Sequence, residues 1–304
     1  MLLLGAGHWA TAQDSSYIAR HLQLDEVVIR ATRVGFDVPG FIRLVEEDTT
    51  FYKAFKNLRI LAYTQQNDIR ILSKDGSLKA SLLSTTEQLR DHGCRTMKVL
   101  DETTTGPFYG RHHSYTYYTA ELYASLFFTK GRVCGETNIV KGGQDLATDK
   151  PSIEKRKDQL KQLIFNPGQP VSGVPIVGKK VAIFDDRVAP MYRFSITSGS
   201  YQGHDCYIFS AVLKPDFQDA AVIHSLITYF DKKNLEIVYR DYRLSYNALI
   251  FDFNVHMQVQ MTHAGSLMVP EYIHYDGFWK IPFHKLEHAV FNTHFEHFQV
   301  QTGS

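Results

Sequence analysis

The most constraining feature of this sequence is a run of alternating side chains from Leu249 to Met261. Every second residue of the run is apolar, and the residues between them are polar except Ile250. Side chains on a strand point to opposite faces with a period of two. The run therefore predicts a strand with one apolar face and one polar face exposed to solvent. At about 3.3 Å per residue the strand is about 43 Å long. A strand of that length is typical of a large, curved sheet.

The composition bounds the size and the partners of the protein. The chain has 304 residues, of which 44% are hydrophobic, enough for one large domain or two small ones. Its 33 basic and 32 acidic residues nearly balance, which argues against a nucleic-acid partner. No run reaches the length of about 18 apolar residues that a transmembrane helix needs, so we predict no membrane span.

The N-terminal residues are typical of the end of a secretory signal peptide. Met1 to Trp9 is short and apolar, and small residues follow up to Gln13. We assign residues 1–13 to a signal peptide remnant whose start lies upstream; the alternative is a frayed apolar terminus. Since no cysteine lies near the expected cleavage point, we expect a periplasmic or secreted protein without a lipid anchor.

The three cysteines are Cys94, Cys134 and Cys206. In an oxidising compartment two of them can pair and leave the third free. Cys94 with Cys134 is the favoured disulfide, because both flank strand-like runs of the same half of the chain. Three buried free thiols are the alternative.

Periodicity divides the rest of the chain into helices and a meander of strands. Apolar spacing predicts one amphipathic helix from Phe41 to Leu58. After Tyr192, strand-like runs alternate with short turns, as in an antiparallel sheet. The loop 166–178 is rich in proline and glycine, and we interpret it as a loop across one mouth of the sheet, although a domain break there is the alternative. Residues 14–304 are therefore predicted to form a single domain.

The turn His263 to Ser266 sets a predicted register for the long strand. It places Met261 opposite Leu267 and leaves Glu271 opposite Met257 on the apolar face. An unpaired carboxylate on a dry face costs several kcal/mol. We therefore expect Glu271 to reach a partner or to lie at an end of the sheet open to water.

Two segments of the meander carry a resemblance to a known class of proteins. LITYFDKKNLEIVYRDYRLSY (226–246) and GSLMVPEYIHYDG (265–277) resemble the lipoprotein-sorting carriers of the bacterial periplasm, which are half-open barrels with helices as a lid. DTTFYKAFKNLR (48–59), GCRTMKVL (93–100) and YTAELYASLFFTKG (118–131) look like an uncharacterised family of exported bacterial proteins. The resemblance implies an α+β fold: a large, curved antiparallel β-sheet, or half-open barrel, with amphipathic helices on its concave face.

LDEVVIRATR, from Leu24 to Arg33, carries a second and separate resemblance. It is similar to the short segment that precedes the plug of outer-membrane TonB-dependent receptors. That resemblance implies an interaction protein whose Leu24–Arg33 segment adds as a strand to the sheet of an outer-membrane partner. An ordinary edge strand is the alternative interpretation.

One motif suggests catalysis. His284 to His288 has the H-x-x-E-H pattern of inverted zincins, which needs both histidines on one helical face and a third metal ligand. The motif lies in a region of period two and near the end of the sequence, so we interpret its histidines as a strand face in contact with water. We therefore assign no catalytic residue, no metal and no cofactor, and do not expect an enzyme.

These observations favour a periplasmic binding or carrier protein that holds a lipophile, or the acyl chain of a lipoprotein, in the half-barrel. Methionine and aromatic side chains suit flexible apolar ligands. The alternative to a pocket on this face is a filled core. The residues predicted to line the ligand site share the apolar face of the long strand and of its neighbour, with one acid among them: Phe251, Phe253, Val255, Met257, Ile273, Tyr275 and Glu271.

Overall fold

The computed structural model describes residues 17–140, 163–169, 180–248, 251–280 and 285–300. Of Ala248 and Phe251 it describes the backbone. Several predictions fall outside these ranges: the signal peptide remnant 1–13, the residues Leu249 and His284, and most of the loop 166–178. They stay predictions.

The described residues form one sheet of 12 strands in the order β1-β6-β7-β8-β9-β10-β11-β12-β2-β3-β4-β5. All neighbours in this order are antiparallel except β1 and β6. Because β1 and β5 stand at opposite ends of the order, the sheet is an open half-barrel, which confirms the predicted fold class. The strands are β1 (Gln23–Leu24), β2 (Ala62–Leu72), β3 (Leu78–Asp91), β4 (Cys94–Thr105), β5 (Val133–Cys134), β6 (Tyr192–Tyr201), β7 (His204–Leu213), β8 (Ile223–Asp231), β9 (Ile237–Ala248), β10 (Phe251–Ala264), β11 (Leu267–Lys280) and β12 (Glu287–Gln299).

The long alternating run forms β10, between β9 and β11, but its predicted register was wrong. The turn to β11 has two residues, Gly265 and Ser266, so Ala264 rather than Met261 faces Leu267. A β-bulge follows, since Gln260 faces Tyr272 while Met261 faces Pro270. The positive φ of Gly265 (61°) is the conformation that such a tight turn requires.

The bulge moves Glu271 off the apolar face, which corrects its predicted position. Glu271 is the extra residue of β11, and its carboxylate accepts a hydrogen bond from Gln260 Nε2. Gln260 is a polar residue on the wetted face of β10. An added residue in a strand moves the side chains beyond it to the opposite face of the sheet. Glu271 therefore avoids the free-energy cost of an unpaired carboxylate on the concave face.

Five α-helices have both ends within the described residues, and those that cover the sheet lie on its concave face. They are α1 (Tyr17–His21), α2 (Glu26–Arg33), α3 (Val38–Glu46), α4 (Thr50–Asn57) and α5 (Tyr118–Phe127). Among their contacts with the sheet, α4 lies on β11 and α5 on β12.

The predicted helix from Phe41 to Leu58 is two helices, α3 and α4. Asp48 lies at the break, where its carboxylate accepts a hydrogen bond from the backbone N–H of Thr50 at 2.9 Å. The same carboxylate pairs with the guanidinium of Arg240 on β9 at 3.2 Å. The helix therefore breaks at Asp48, whose carboxylate pairs with the buried Arg240, although the apolar spacing continues through the break.

Leu24–Arg33 is not a free strand, so the strand predicted over this segment was wrong. Leu24 already pairs with Ile196 of β6, and α2 begins two residues later. Asp25 explains the change, because its carboxylate accepts from Val28 N at 2.8 Å and from Ser198 N at 2.6 Å. The carboxylate caps the helix and joins it to the sheet, and this outweighs the β-branched residues of the segment.

Within the described ranges, no helix has both the length and the apolar character needed to cross a membrane.

Candidate functional site

The residues predicted to line a ligand site lie on the concave face beneath the helices. The exposed fraction of each of the five described side chains is 6% or less; they are Phe253, Val255, Met257, Ile273 and Tyr275. Phe251 begins β10 with its side chain outside the described part. The structure thus gathers these residues on one face and packs other side chains over them.

A small apolar cavity of about 20 Å³ remains on this face, and Met257, Ile273 and Tyr275 line it. Leu126 and Phe127 of α5 close the cavity from the opposite side. That space suffices for about one water molecule, whereas small-molecule sites hold about 300–1,000 Å³. In its described state this face is therefore the floor of a core.

A larger cleft lies next to this cavity, between α4 and the last turn of α5, and measures about 270 Å³. Leu126 and Phe127 line both spaces, so these two side chains separate the cleft from the concave face. The cleft is lined by apolar and charged side chains: Tyr52, Phe55, Lys56, Leu58, Arg59, Tyr63, Arg95, Ser125, Leu126, Phe127, Glu136 and Phe165.

The floor of the cleft is aromatic. The rings of Phe55 and Phe165 stack with centroids 4.2 Å apart, and Phe127 meets Phe165 edge-on at 5.8 Å. Tyr63 is buried at the same end of β2, and its burial raises the pKa of the phenol above its ordinary value. The floor therefore carries no charge. Its rings are 8% exposed or less, so most of the open surface of the cleft is polar.

The rim of the cleft is charged. Arg95 on β4 donates through Nε to Glu136 Oε2 at 2.5 Å and through Nη2 to Glu136 Oε1 at 3.3 Å. Arg59 approaches the same carboxylate at 3.7 Å. Arg95 also donates to Gln88 at 3.2 Å and to Thr129, so its guanidinium is fixed in position. Two guanidinium groups thus face one carboxylate above an aromatic floor.

The segment that carries Glu136 is attached to the protein at several points, and we call residues 133–139 the strap. Cys134 in the strap forms a disulfide with Cys94 of β4. Further along, Asn138 Nδ2 donates to Asn57 Oδ1 at 2.9 Å, and the carbonyl of Ile139 accepts from Lys56 Nζ. The third cysteine, Cys206, is free and buried. The strap therefore runs from β4 to the end of α4 along the rim of the cleft.

Buried polar groups hold the middle of α5 against the sheet. The hydroxyl of Tyr123 donates to Asn67 Oδ1 of β2 at 2.7 Å and lies 2.5 Å from Thr293 Oγ1 of β12. Gln65 Nε2 donates to the same hydroxyl at 3.1 Å. These bonds fix α5 before its last turn, which is the turn that borders the cleft.

Glu287, the acid of the H-x-x-E-H motif, holds the start of α5. Its carboxylate accepts from the backbone N–H of Tyr118 at 3.0 Å and of Thr119 at 2.9 Å. Both Glu287 and His288 lie on β12, and His288 pairs with Asp276 at 2.7 Å. No group of three metal-binding side chains occurs in the described ranges. Glu287 therefore caps the N-terminus of α5, and its negative charge interacts favourably with the positive end of the dipole of that helix.

Replacing Glu287 with alanine should lower the free energy of unfolding by about 1–2 kcal/mol, because the first N–H groups of α5 lose their acceptor. Replacing His288 with alanine should cost about 0–1 kcal/mol, since its partner Asp276 is exposed to solvent. Urea denaturation followed by circular dichroism measures both values. Equal losses in the two variants would show that Glu287 is not the cap.

The rim of the cleft was not predicted from the sequence. Arg59, Arg95 and Glu136 belong to separate elements and share no spacing that a motif could reveal. The available signal was the charge of Arg95 next to Cys94, together with the preferred disulfide to Cys134, which brings Glu136 close to Arg95.

Comparison with known proteins gives no matching family model and no matching curated protein. Solved structures similar to this chain include an outer membrane lipoprotein-sorting protein domain from Vibrio parahaemolyticus, with 10% identity, a TM-score of 0.28, and coverage of 82% of this chain and 90% of that one. A DUF1329 family protein from Desulfovibrio piger ATCC 29098 has 9% identity and a TM-score of 0.25, with coverage of 87% and 91%. Lipovitellin has 10% identity and a TM-score of 0.24, with coverage of 81% of this chain and 26% of that one.

The first of these structures belongs to the lipoprotein-sorting class that the sequence pattern resembles. With TM-scores below 0.5, none of the three transfers a function or a site to this chain.

Proposed function

We propose that this protein is an exported binding or carrier protein that holds the acyl chain of a lipophilic ligand in the half-barrel. The observation that carries the proposal is the cleft of about 270 Å³ between α4 and α5, with its aromatic floor and charged rim. Small-molecule sites combine apolar side chains with a few convergent polar groups. This cleft contains both, although its open surface is mostly polar. The proposal assigns no catalytic residue.

We further propose that the end of the acyl chain reaches the predicted ligand face after the side chains of α5 that cover it move aside. Of the described residues, Leu126 and Phe127 are the two that line both the cleft and the small cavity. A rotamer change of these two side chains would join the cleft to Met257, Ile273 and Tyr275. Phe253 and Val255 continue the same face along β10. Met257 suits this role because its unbranched side chain adapts to a flexible chain.

Export is supported by the disulfide between Cys94 and Cys134, since such bonds persist in oxidising compartments. The apolar N-terminal residues 1–13 support the same location. The ligand is proposed to be a free lipophile or the acyl chain of a lipoprotein, and the test below uses a free fatty acid as the probe.

A tryptophan at Ser125 tests the cleft. Ser125 lines the cleft from the last turn of α5, so the Ser125→Trp side chain should fill it and weaken binding of cis-parinaric acid by about tenfold or more, equivalent to about 1.4 kcal/mol. Fluorescence titration of the probe measures the dissociation constant.

The matched control is Glu121→Trp, which places the same ring on an exposed position one turn earlier on α5, outside the cleft lining. We expect this control to bind the probe like the wild type. Loss of binding in both variants, or in neither, would contradict the cleft as the site. Absence of probe binding to the wild-type protein would contradict the function.

A further inference from the structure

Glu136 is held at the rim of the cleft as a ligand would be. Both of its carboxylate oxygens accept from Arg95, at 2.5 Å and 3.3 Å, in the paired arrangement that guanidinium and carboxylate groups favour. The side chains of Arg95 and Glu136 are 15% and 22% exposed, so the pair lies between the interior and the solvent. The space beside the pair is the cleft itself.

The two guanidinium groups of the rim exceed the charge of their one carboxylate partner, and Lys56 adds a third cation to the cleft lining. Arg59 is 3.7 Å from the same carboxylate, and no other acid lines the cleft among its described residues. Arg95 is fixed by Gln88 and Thr129, so its guanidinium would keep its direction if Glu136 moved away. The rim is thus a prepared site for one carboxylate group.

The attachment points of the strap allow the side chain of Glu136 to move away from Arg95. Its anchors to α4, through Asn138 and Ile139, come after Glu136, and its anchor to β4, the disulfide of Cys134, comes before it. Glu136 therefore lies on a short span fixed at both ends. A partly exposed carboxylate on such a span can turn into water without unfolding the strap, at a cost limited by its solvation.

We propose that the ligand of the cleft carries a carboxylate head group, and that this group binds Arg95 and Arg59 by displacing Glu136. The inference rests on the proposed function and adds the head-group chemistry to it. The carboxylate of Glu136 occupies the site until an acyl carboxylate replaces it, while the acyl chain passes into the cleft toward Leu126 and Phe127. The ligand class is then that of fatty acids and not of neutral lipids.

The test compares cis-parinaric acid with its methyl ester in fluorescence titrations. Glu136→Gln removes the competing charge, so it should raise the affinity for the acid by about tenfold, the scale of one hydrogen bond between charged groups. Arg59→Gln should lower the affinity for the acid, and Arg59 is exposed enough for the variant to fold. Neither variant should change the affinity for the ester. Asp101→Asn, an exposed position on β4, is the control for the change in net charge.

The outcomes separate the inference from the function on which it rests. If the wild type binds both probes but Glu136→Gln and Arg59→Gln leave the affinity for the acid unchanged, the head-group assignment is wrong and the proposed function stands. The same holds if both variants alter ester binding as much as acid binding. If no variant and no wild-type protein binds either probe, the proposed function fails.

Discussion

Replacing Asp48 with alanine is expected to lower the free energy of unfolding by about 3–5 kcal/mol, the cost of removing one partner of a buried ion pair. The side chains of Asp48 and Arg240 are 6% and 5% exposed, and their nearest atoms are 3.2 Å apart. Without Asp48, the guanidinium of Arg240 keeps Thr228 and the ring of Phe51 as neighbours but loses its counter-charge. Burial already lowers the pKa of Arg240 from its ordinary value, which reflects the same desolvation cost.

Urea denaturation of three variants measures this effect. The control is Glu47→Ala, which removes the neighbouring acid from an exposed position and should change the stability by less than about 0.5 kcal/mol. The double variant Asp48→Ala with Arg240→Met should recover most of the lost stability, because an apolar side chain of similar length needs no counter-charge. A double variant as unstable as Asp48→Ala alone would assign the loss to the helix cap at Thr50 rather than to the buried charge.

This ion pair also shows why the break between α3 and α4 could not be predicted. The apolar spacing from Phe41 to Leu58 is helical throughout, and local periodicity contains no information about a partner on β9. Asp48 is a common residue at a helix start, but the same residue also occurs on exposed helix faces. The partner that decides between these roles lies 192 residues further along the chain.

The sheet was more predictable than its register. Alternation identifies β10 because half of its side chains face the core, and that property is local. The pairing of β10 with β11 depends on a two-residue turn and on the bulge at Glu271, and neither changes the alternation enough to be seen. One added residue moved an acid from the concave face to the wetted face. Glu136, the acid at the rim of the cleft, lies in no local sequence pattern that could have identified it.

The prediction of a strand over Leu24–Arg33 was wrong for a different reason. Its valine, isoleucine and threonine residues favour strands, but strand propensity depends strongly on context. Asp25 caps α2, and Val28 is fully buried beneath it. A cap and one buried anchor were sufficient to reverse a preference that rested on composition.

Reduction of the disulfide between Cys94 and Cys134 is expected to lower the free energy of unfolding by about 4 kcal/mol. The cysteines are 40 residues apart, and the chain-entropy treatment of a closed loop of that length gives this value. The measurement is urea denaturation with and without dithiothreitol. Cys206→Ala should respond to the reductant as the wild type does, whereas Cys94→Ser with Cys134→Ser should not respond.

The same reduction tests the strap, because the disulfide is its anchor before Glu136. If the anchor holds Glu136 against Arg95, the reduced protein should bind cis-parinaric acid more tightly than the oxidised protein and bind the methyl ester equally. The measurement is made at a temperature where both forms are folded, so the loss of stability does not enter. Tighter binding of acid and ester alike would indicate a general opening of the cleft. Unchanged binding of both probes would show that the β4–β5 pairing of Arg95 with Val133 holds the strap without the disulfide.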